Sequence, residues 1–232
     1  DLEFHQLDLR YEPLRMRHQA RERRLLASIA EVGQQTPIVV VGGDRGARHV
    51  VVDGYKRVRC LRQLHRDTVG AVAWEMSEAE ALIFRQLLHE EAADTALEQG
   101  WLLRTLHEDH GFSMEQLARR FDRSVSWVSR RLSLVRDLPP LVQQRVQEGR
   151  LVAHAAMKYL VPLARANTPD CLRLVEAMTS RPLSTRQIGR LYHTYLGGTA
   201  QVRALVITDP FLVLRMDEEA QRPADDLPPA AN

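Results

Sequence analysis

The stretch SMEQLARRFDRSVSWVSRRL, at residues 113–132, sets the architecture that we predict for this chain. Its first helix begins at Met114 and turns three apolar residues to one side, Leu117, Ala118 and Phe121. Residues 122–123 then form a tight turn, and Ser124 caps a second helix. Two short helices around such a turn are typical of a helix-turn-helix.

The second helix separates an apolar face from a polar one. Its inward residues recur at spacings of three, four and three: Val125, Val128, Leu132 and Val135. Small hydroxyl side chains on the other face would let the backbone approach a DNA major groove, and arginines one turn later would reach phosphates or a guanine edge. The pattern predicts a helix-turn-helix over 113–135 that contacts DNA through seven residues: Gln116, Arg123, Ser124, Ser126, Trp127, Arg130 and Arg131.

Less specific interpretations of the same stretch stay open. Two apolar-striped helices around a short turn also occur in all-α domains that bind no DNA, where the basic face is simply solvated. The indole of Trp127 is suited equally to packing over the hairpin. The predominance of arginine has two explanations as well, because a GC-rich genome would also leave lysine only at Lys56 and Lys158.

The region before the helix-turn-helix is predicted to mix helices and strands. In chain order we expect a helix at 21–33, strands at 37–41 and 49–52 around a glycine-rich turn at 42–46, a helix after Gly54, and a strand at 69–74. Residues 1–76 should therefore form a small mixed α/β domain.

Residues 77–197 are predicted to form an all-helical domain. Serines followed three residues later by Glu or Gln give capping boxes at Ser77–Glu80, Ser113–Gln116 and Ser184–Gln187, and Thr168 before Pro169 supplies a further helix start. In the last segment, 198–232, β-branched residues at 202–213 favour a strand or a short association segment. The acidic, proline-rich stretch 217–232 favours disorder. The predicted class is α+β.

Composition excludes several classes of protein. The 232 residues are 44% hydrophobic, which is enough for a core, but no run of about 18 apolar residues indicates a membrane span. No signal peptide is visible, and two distant cysteines, Cys60 and Cys171, make neither a disulfide framework nor a zinc cluster. We expect a cytoplasmic protein with reduced cysteines. The net charge of +2 does not by itself indicate a nucleic-acid partner.

The order of the motifs resembles the ParB family of DNA-partition proteins over residues 5–195. Residues 35–40 are QTPIVV, 52–60 are VDGYKRVRC, the helix-turn-helix follows, and 148–155 are EGRLVAHA. The resemblance implies a homodimer that binds a palindromic site on double-stranded DNA, a partner ATPase and association with the nucleoid. It also implies an N-terminal site for CTP with magnesium, where nucleotide closes a dimeric clamp around DNA.

The same resemblance places the nucleotide site on five residues: Thr36, Gly54, Tyr55, Lys56 and Arg57. Where the family has Gly-Glu-Arg-Arg, this chain keeps the glycine and the last arginine, has lysine in the third place and lacks the glutamate. The family's metal-contacting Glu-Asn-x-Gln-Arg has no match. Glu90 and Asp94, with His89, are the nearest candidate magnesium ligands, and a solvated acidic helix face explains them equally well.

We therefore predict a site-specific DNA-binding protein of the ParB type that acts in DNA segregation or regulation. The alternatives are a CTP-dependent DNA clamp or switch with weak CTPase activity, a ParB-like nuclease, and a protein-interaction scaffold with a degenerate DNA domain. No Ser/His/Asp or Cys/His constellation indicates a catalytic site. The unmatched metal motif predicts no CTP turnover above background.

Overall fold

The computed structural model describes residues 1–16, 19–42, 48–88, 95–178 and 181–220. Three predictions fall outside these ranges: most of the turn at 42–46, the candidate magnesium ligands Glu90 and Asp94 with His89, and the tail from 221 to 232. Within the described ranges, no helix is long and apolar enough to cross a lipid bilayer.

The chain divides into two compact units, residues 1–129 and residues 130–232. The N-terminal unit contains, in chain order, β1 (Leu2–Glu3), β2 (Leu7–Asp8), α1 (Gln19–Val32), β3 (Ile38–Val41), β4 (His49–Asp53), α2 (Tyr55–Gln63), β5 (Thr68–Val69), β6 (Ala71–Trp74), α3 (Glu78–Leu88), α4 (Ala96–Glu108), α5 (Met114–Arg120) and the start of α6 (Val125–Arg136). The predicted helices at 21–33 and after Gly54, the predicted strands at 37–41 and 49–52, and the α+β class are confirmed. The single strand predicted at 69–74 is wrong, because β5 pairs with β1 in a two-stranded sheet whereas β6 pairs with β3.

A mixed four-stranded sheet in the order β2-β4-β3-β6 lies at the centre of the N-terminal unit. β3 runs antiparallel to β4, with Val40 opposite Val51, and parallel to β6, with Ile38 opposite Ala71. The inward side chains are apolar and buried, Ile38 and Val51 completely so. The sheet brings the end of β4 beside the start of β3, and this fixes the position of the turn that leads into α2.

The C-terminal unit consists, in its described residues, of helices joined by turns and short loops, with no strand among them. It contains the rest of α6, α7 (Pro140–Gln147), α8 (Ala153–Ala155), a π-helical stretch (Ala156–Leu160), α9 (Val161–Ala166), α10 (Thr168–Ala177), α11 (Thr185–Gly197), α12 (Ala200–Thr208) and α13 (Pro210–Ala220). Its core is aliphatic, with Leu160, Leu174 and Ile188 almost completely buried. The predicted all-helical character of this part of the chain is confirmed.

The three predicted capping boxes are present, and one predicted cap is wrong. Ser77, Ser113 and Ser184 each accept a hydrogen bond from the amide three residues on, and each is bonded in return by Glu or Gln. For α10, however, the cap is Asn167, whose Oδ1 accepts from the Asp170 amide at 3.1 Å. Thr168 is instead the first residue of that helix.

The end of the chain also differs from the prediction. Residues 202–213, predicted as a strand or association segment, belong to α12 and α13, and residues 217–220 continue α13 rather than being disordered. The local β preference is overridden because Thr199 caps α12 and its apolar residues are packed, with Val206 completely buried. Arg190 further holds α13 through Asp217 at 3.1 Å.

Candidate DNA-reading helix and candidate nucleotide cleft

The first half of the helix-turn-helix is built as predicted. Phe121 and Leu117 are buried at 5% and 0% exposure. Asp122 has a φ of +48°, and the left-handed turn there lets the Arg123 amide donate to the Ala118 carbonyl at 2.9 Å. This conformation is tolerated by aspartate better than by most residues. The chain therefore reverses sharply between α5 and the start of α6.

The start of α6 presents small and basic side chains. The Ser124 hydroxyl accepts from the Trp127 amide at 3.1 Å and so caps the helix. Ser126 and Arg130 follow on its exposed side. Among the described residues, none pairs with the side chain of Arg130. The guanidinium of Arg123 lies 5.9 Å from the centre of the Trp127 ring, a distance within reach of a cation–π contact.

Gln116 is exposed, but its side chain has a structural role. Its amide oxygen accepts from the Ser113 backbone at 2.7 Å as half of the α5 capping box. The capping box uses the side-chain oxygen of Gln116 and not its amide nitrogen.

Two residues of α6 lie elsewhere than the periodicity predicts. Val125, predicted to face inward, is 39% exposed. Arg131, predicted to face outward, is half-buried, and its Nη1 donates to Met157 Sδ at 3.1 Å. Burial lowers the pKa of Arg131, and the nearby charge of Arg130 lowers it further. Arg131 lies three residues after Val128 and four before Val135, so the buried face is wider than the apolar pattern alone indicates.

A cleft of about 540 Å³ opens in the N-terminal unit between α1, the loop before β3 and the first turn of α2. All five residues that the sequence placed at a nucleotide site line this single cleft: Thr36, Gly54, Tyr55, Lys56 and Arg57. Thr36 is exposed on the loop, while the other four are consecutive at the end of β4 and the start of α2. Folding therefore brings the two separate motifs together.

Gly54 is the residue on which the geometry of this wall depends. Its φ is +100°, and a Cβ placed there would lie 2.6 Å from Ile38 Cγ2. Only glycine combines a left-handed conformation with so close an approach to β3. As the residue before α2, Gly54 directs the first turn of that helix, with its free amides, along the cleft wall.

The two residues that follow Gly54 have different environments. Tyr55 is 5% exposed, and its hydroxyl donates to the Val51 carbonyl at 2.5 Å. Burial raises the pKa of that phenol above its ordinary range. Lys56 is partly exposed, and no described residue forms a hydrogen bond or ion pair with its side chain. Tyr55 therefore forms a rigid part of the cleft wall, whereas the side chain of Lys56 is partly exposed to solvent there.

Arg57 binds the protein itself. Its Nη1 donates to the carbonyls of Thr36, at 3.1 Å, and Pro37, while its Nη2 donates to Asp53 Oδ2 at 3.1 Å. Asp53 Oδ1 in turn accepts from Arg85 Nε of α3 at 3.3 Å. Arg57 thus ties the loop before β3 to the turn before α2.

Sequence reasoning missed three basic residues of the cleft, Arg15, Arg21 and Arg85. They come from the segment before α1, from α1 and from α3, each far from the Gly54 motif along the chain. No spacing rule joins such residues, so only the fold reveals them. Groups of three potential metal ligands are absent from the described residues, and the predicted ligands Glu90 and Asp94 are outside them.

Comparison with known proteins identifies relatives of this chain. Residues 1–90 match the family model of the ParB N-terminal domain. The nucleoid occlusion protein of Bacillus licheniformis is 25% identical over 182 residues, covering 77% of this chain and 62% of that protein. Stage 0 sporulation protein J of Bacillus subtilis is 29% identical over 171 residues, covering 72% and 57%. The chain thus spans about three fifths of the length of these relatives.

Two solved structures of the C-terminally truncated chromosome-partitioning protein ParB from Caulobacter crescentus are also similar. The one complexed to the centromeric parS site shares 24% identity with a TM-score of 0.44, over 77% of this chain and 90% of that chain. The one complexed with CTP-gamma-S shares 25% identity with a TM-score of 0.35, over 71% and 95%.

Proposed function

We propose that this chain, whose residues 1–90 match the ParB N-terminal domain, is a site-specific DNA-binding protein of the ParB family that acts in DNA segregation or regulation. The observation that carries the proposal is the capped start of α6, where Ser126 and Arg130 are exposed behind a sharp turn. A helix presented in this way fits a DNA major groove.

The surface chemistry of α6 supports reading of bases as well as binding of phosphates. Ser124 and Ser126 are small, so the helix backbone can approach the groove closely. Arg130, one turn later, has the planar fork that bonds guanine N7 and O6 together. Arg123, held over the ring of Trp127, lies beside the turn, where a phosphate contact would fix the register of the helix on DNA.

The proposal extends to assembly and location by relationship. Relatives are named for nucleoid occlusion, so we propose that this protein acts on the nucleoid. A homodimer on a palindromic site and a partner ATPase are what membership of the ParB family implies. Sedimentation of the pure protein with a defined DNA duplex would count the chains bound per site.

The test begins with chromatin immunoprecipitation and sequencing, which yields the preferred site and its symmetry. Fluorescence anisotropy on that site then compares the wild type with Arg130→Ala. Loss of a base contact should weaken binding by about 1–3 kcal/mol and relax the preference at one position. Loss of a phosphate contact should weaken binding to all sequences and lower the salt slope by about one unit.

Arg24→Ala is the matched control, because it removes the same charge from an exposed position of α1 in the N-terminal unit. It should leave sequence preference unchanged. If the double variant Arg130→Ala/Arg131→Ala stays folded and binds its site with wild-type affinity, α6 does not read DNA and the proposal fails.

A second candidate function is nucleotide binding, as in a CTP-dependent clamp or switch. The observation in its favour is the cleft of about 540 Å³, a volume suited to a nucleotide, with Lys56 on its wall beside the first turn of α2. CTP is the nucleotide that the family implies. Calorimetric titration with CTP, ATP, GTP and UTP tests the proposal. Equal heats for all four nucleotides would contradict a preference for CTP, and the absence of heat for all four would contradict nucleotide binding.

A further inference from the structure

The nucleotide cleft carries more positive than negative charge. Six basic side chains line it: Arg15, Arg21, Lys56, Arg57, Arg59 and Arg85. Two carboxylates line it as well, Asp53 and Glu98. Arg59 forms ion pairs with Glu12 and Glu22, which are not part of the lining. With these two carboxylates added to the two of the lining, six basic groups still exceed four acidic ones. An excess of this sign favours an anionic ligand.

Asp53, the carboxylate nearest Gly54, is engaged through both oxygens. Arg57 donates to Oδ2 at 3.1 Å, and Arg85 donates to Oδ1 at 3.3 Å. The side chains are well covered, with Asp53 and Arg57 each 18% exposed and Arg85 12% exposed. A metal ion coordinated by Asp53 would therefore lie beside two guanidinium groups, whose positive charge opposes its binding.

Glu98, the other carboxylate of the lining, is also committed. It is 7% exposed, and its Oε1 accepts from the Met16 amide at 2.9 Å. Its Oε2 accepts from the Thr95 amide at 2.9 Å and from the Thr95 hydroxyl at 3.0 Å, which completes the capping box of α4. If Glu98 gave up these hydrogen bonds to bind a metal, the start of α4 would lose its cap and the amides of Met16 and Thr95 would lose their acceptor.

From these contacts we infer that the cleft binds a nucleoside polyphosphate as the free anion and not as its magnesium complex. Magnesium requires oxygen ligands in near-octahedral array and is usually held by one or two carboxylates. Among the described residues of the lining, one carboxylate, Asp53, is paired with two guanidinium groups, and the other, Glu98, caps α4. Arg85, Lys56 and Arg21 instead supply positive charge. The inference rests on the proposed nucleotide-binding function and fixes the form of its ligand.

The magnesium complex is also the weaker electrostatic match. Chelation removes two negative charges from the polyphosphate, whereas the cleft attracts negative charge through arginine and lysine. A guanidinium group can donate two parallel hydrogen bonds to phosphate oxygens. It is also weakly hydrated, whereas Mg²⁺ gives up its bound water reluctantly.

The test is calorimetric titration of the whole protein, without DNA, with CTP and separately with inorganic triphosphate. Each titration is made in EDTA and in excess magnesium chloride. CTP should bind in EDTA at least as tightly as in magnesium. In a parallel experiment, the free Mn²⁺ that electron paramagnetic resonance detects in a mixture of Mn²⁺ and CTP should not fall when the protein is added.

Binding of CTP only in magnesium, or a fall in free Mn²⁺ when the protein is added to the mixture of Mn²⁺ and CTP, would overturn the inference while leaving nucleotide binding in place. If neither CTP nor triphosphate binds in either buffer, the proposed nucleotide function fails and the inference fails with it. The two failures are thus distinguished by the magnesium arm.

Variants sharpen the comparison. Arg85→Gln should weaken CTP binding in EDTA by about 10-fold or more, because it removes a charged donor of the cleft. The matched control is Arg24→Gln, an exposed arginine of α1 that does not line the cleft, which should bind as the wild type does. The double variant Glu90→Gln/Asp94→Asn should bind CTP unchanged in both buffers, and a loss confined to the magnesium buffer would overturn the inference.

Discussion

Replacement of Gly54 by alanine tests whether the turn into α2 sets the shape of the cleft. The added Cβ would lie 2.6 Å from Ile38 Cγ2, 2.9 Å from Ile38 Cβ and 3.1 Å from its Cα. The last contact is to the backbone of a fully buried strand residue, which cannot move aside as the end of a flexible side chain would. Overpacking of this kind costs about 1–3 kcal/mol. The left-handed backbone adds about 1–2 kcal/mol for any residue with a Cβ.

Gly33→Ala is the control that separates the two costs. Gly33 has a φ of +74°, but a Cβ there would meet nothing within 4 Å. Gly33→Ala should therefore lower the free energy of unfolding only by the cost of the left-handed backbone, about 1–2 kcal/mol. Gly54→Ala should lower it by about 2–5 kcal/mol, the sum of the backbone cost and the overpacking cost. The difference between the variants measures the close approach of the turn to β3.

Tryptophan fluorescence during urea unfolding is the appropriate assay. All three tryptophans, Trp74, Trp101 and Trp127, lie within residues 1–129, so the signal reports unfolding of the N-terminal unit. Shifts of the midpoint at constant slope give the difference in free energy of unfolding. If Gly54→Ala proves no less stable than Gly33→Ala, the contact with Ile38 does not constrain the turn and the reasoning is refuted.

Four further outcomes are expected. Arg131→Ala should lower the free energy of unfolding by about 0.5–1.5 kcal/mol while altering sequence preference less than Arg130→Ala does, as thermal melts and anisotropy will measure. Burial raises the pKa of Cys171 to about 12, so mass spectrometry should find this thiol alkylated only after unfolding. Hydrogen bonds from Arg10 hold the pKa of Asp8 below its ordinary value of 3.8, so the stabilisation is full above that pH and is lost as the pH falls through the lower folded value. The stability difference between the wild type and Asp8→Asn should therefore narrow at acid pH in urea titrations. With magnesium and DNA present, phosphate release from CTP should stay at background, and sustained turnover would contradict our assignment of the cleft carboxylates.

The sequence predicted best those elements in which the spacing of apolar residues and the residues that end the element indicate the same structure. α1 ends at Val32 with a left-handed Gly33, and β3 and β4 are β-branched runs buried on the sheet. The short strand β2 was missed because two residues carry no alternation, and its parallel pairing with β4 is a tertiary fact. The prediction of a strand or association segment at 202–213 was wrong, because the β preference of these residues is only local. The helix cap at Thr199 and the packing of Val206 determine the structure there.

In the candidate cleft, too, tertiary contacts could not be predicted from a local sequence motif. Residues 54–57 were predicted from one contiguous motif, and the fold brings them to a single wall with Thr36. The role of Arg57 was not predictable, because its partners are the carbonyls of Thr36 and Pro37, some 20 residues earlier in the chain. A motif predicts which residues meet at a place, and the bonds that each one makes there depend on the neighbours that folding supplies.

Arginine in this protein therefore cannot be assigned to DNA or phosphate by composition. Arg57 holds two loops together, Arg131 packs against Met157, and Arg59 is neutralised by Glu12 and Glu22. Arg130 differs because its side chain is exposed and no described residue bonds to it. A guanidinium that already has its donors satisfied loses those bonds when it turns to a ligand, whereas one that meets only water does not. On that physical ground, Arg130 is the arginine of α6 that we propose contacts DNA.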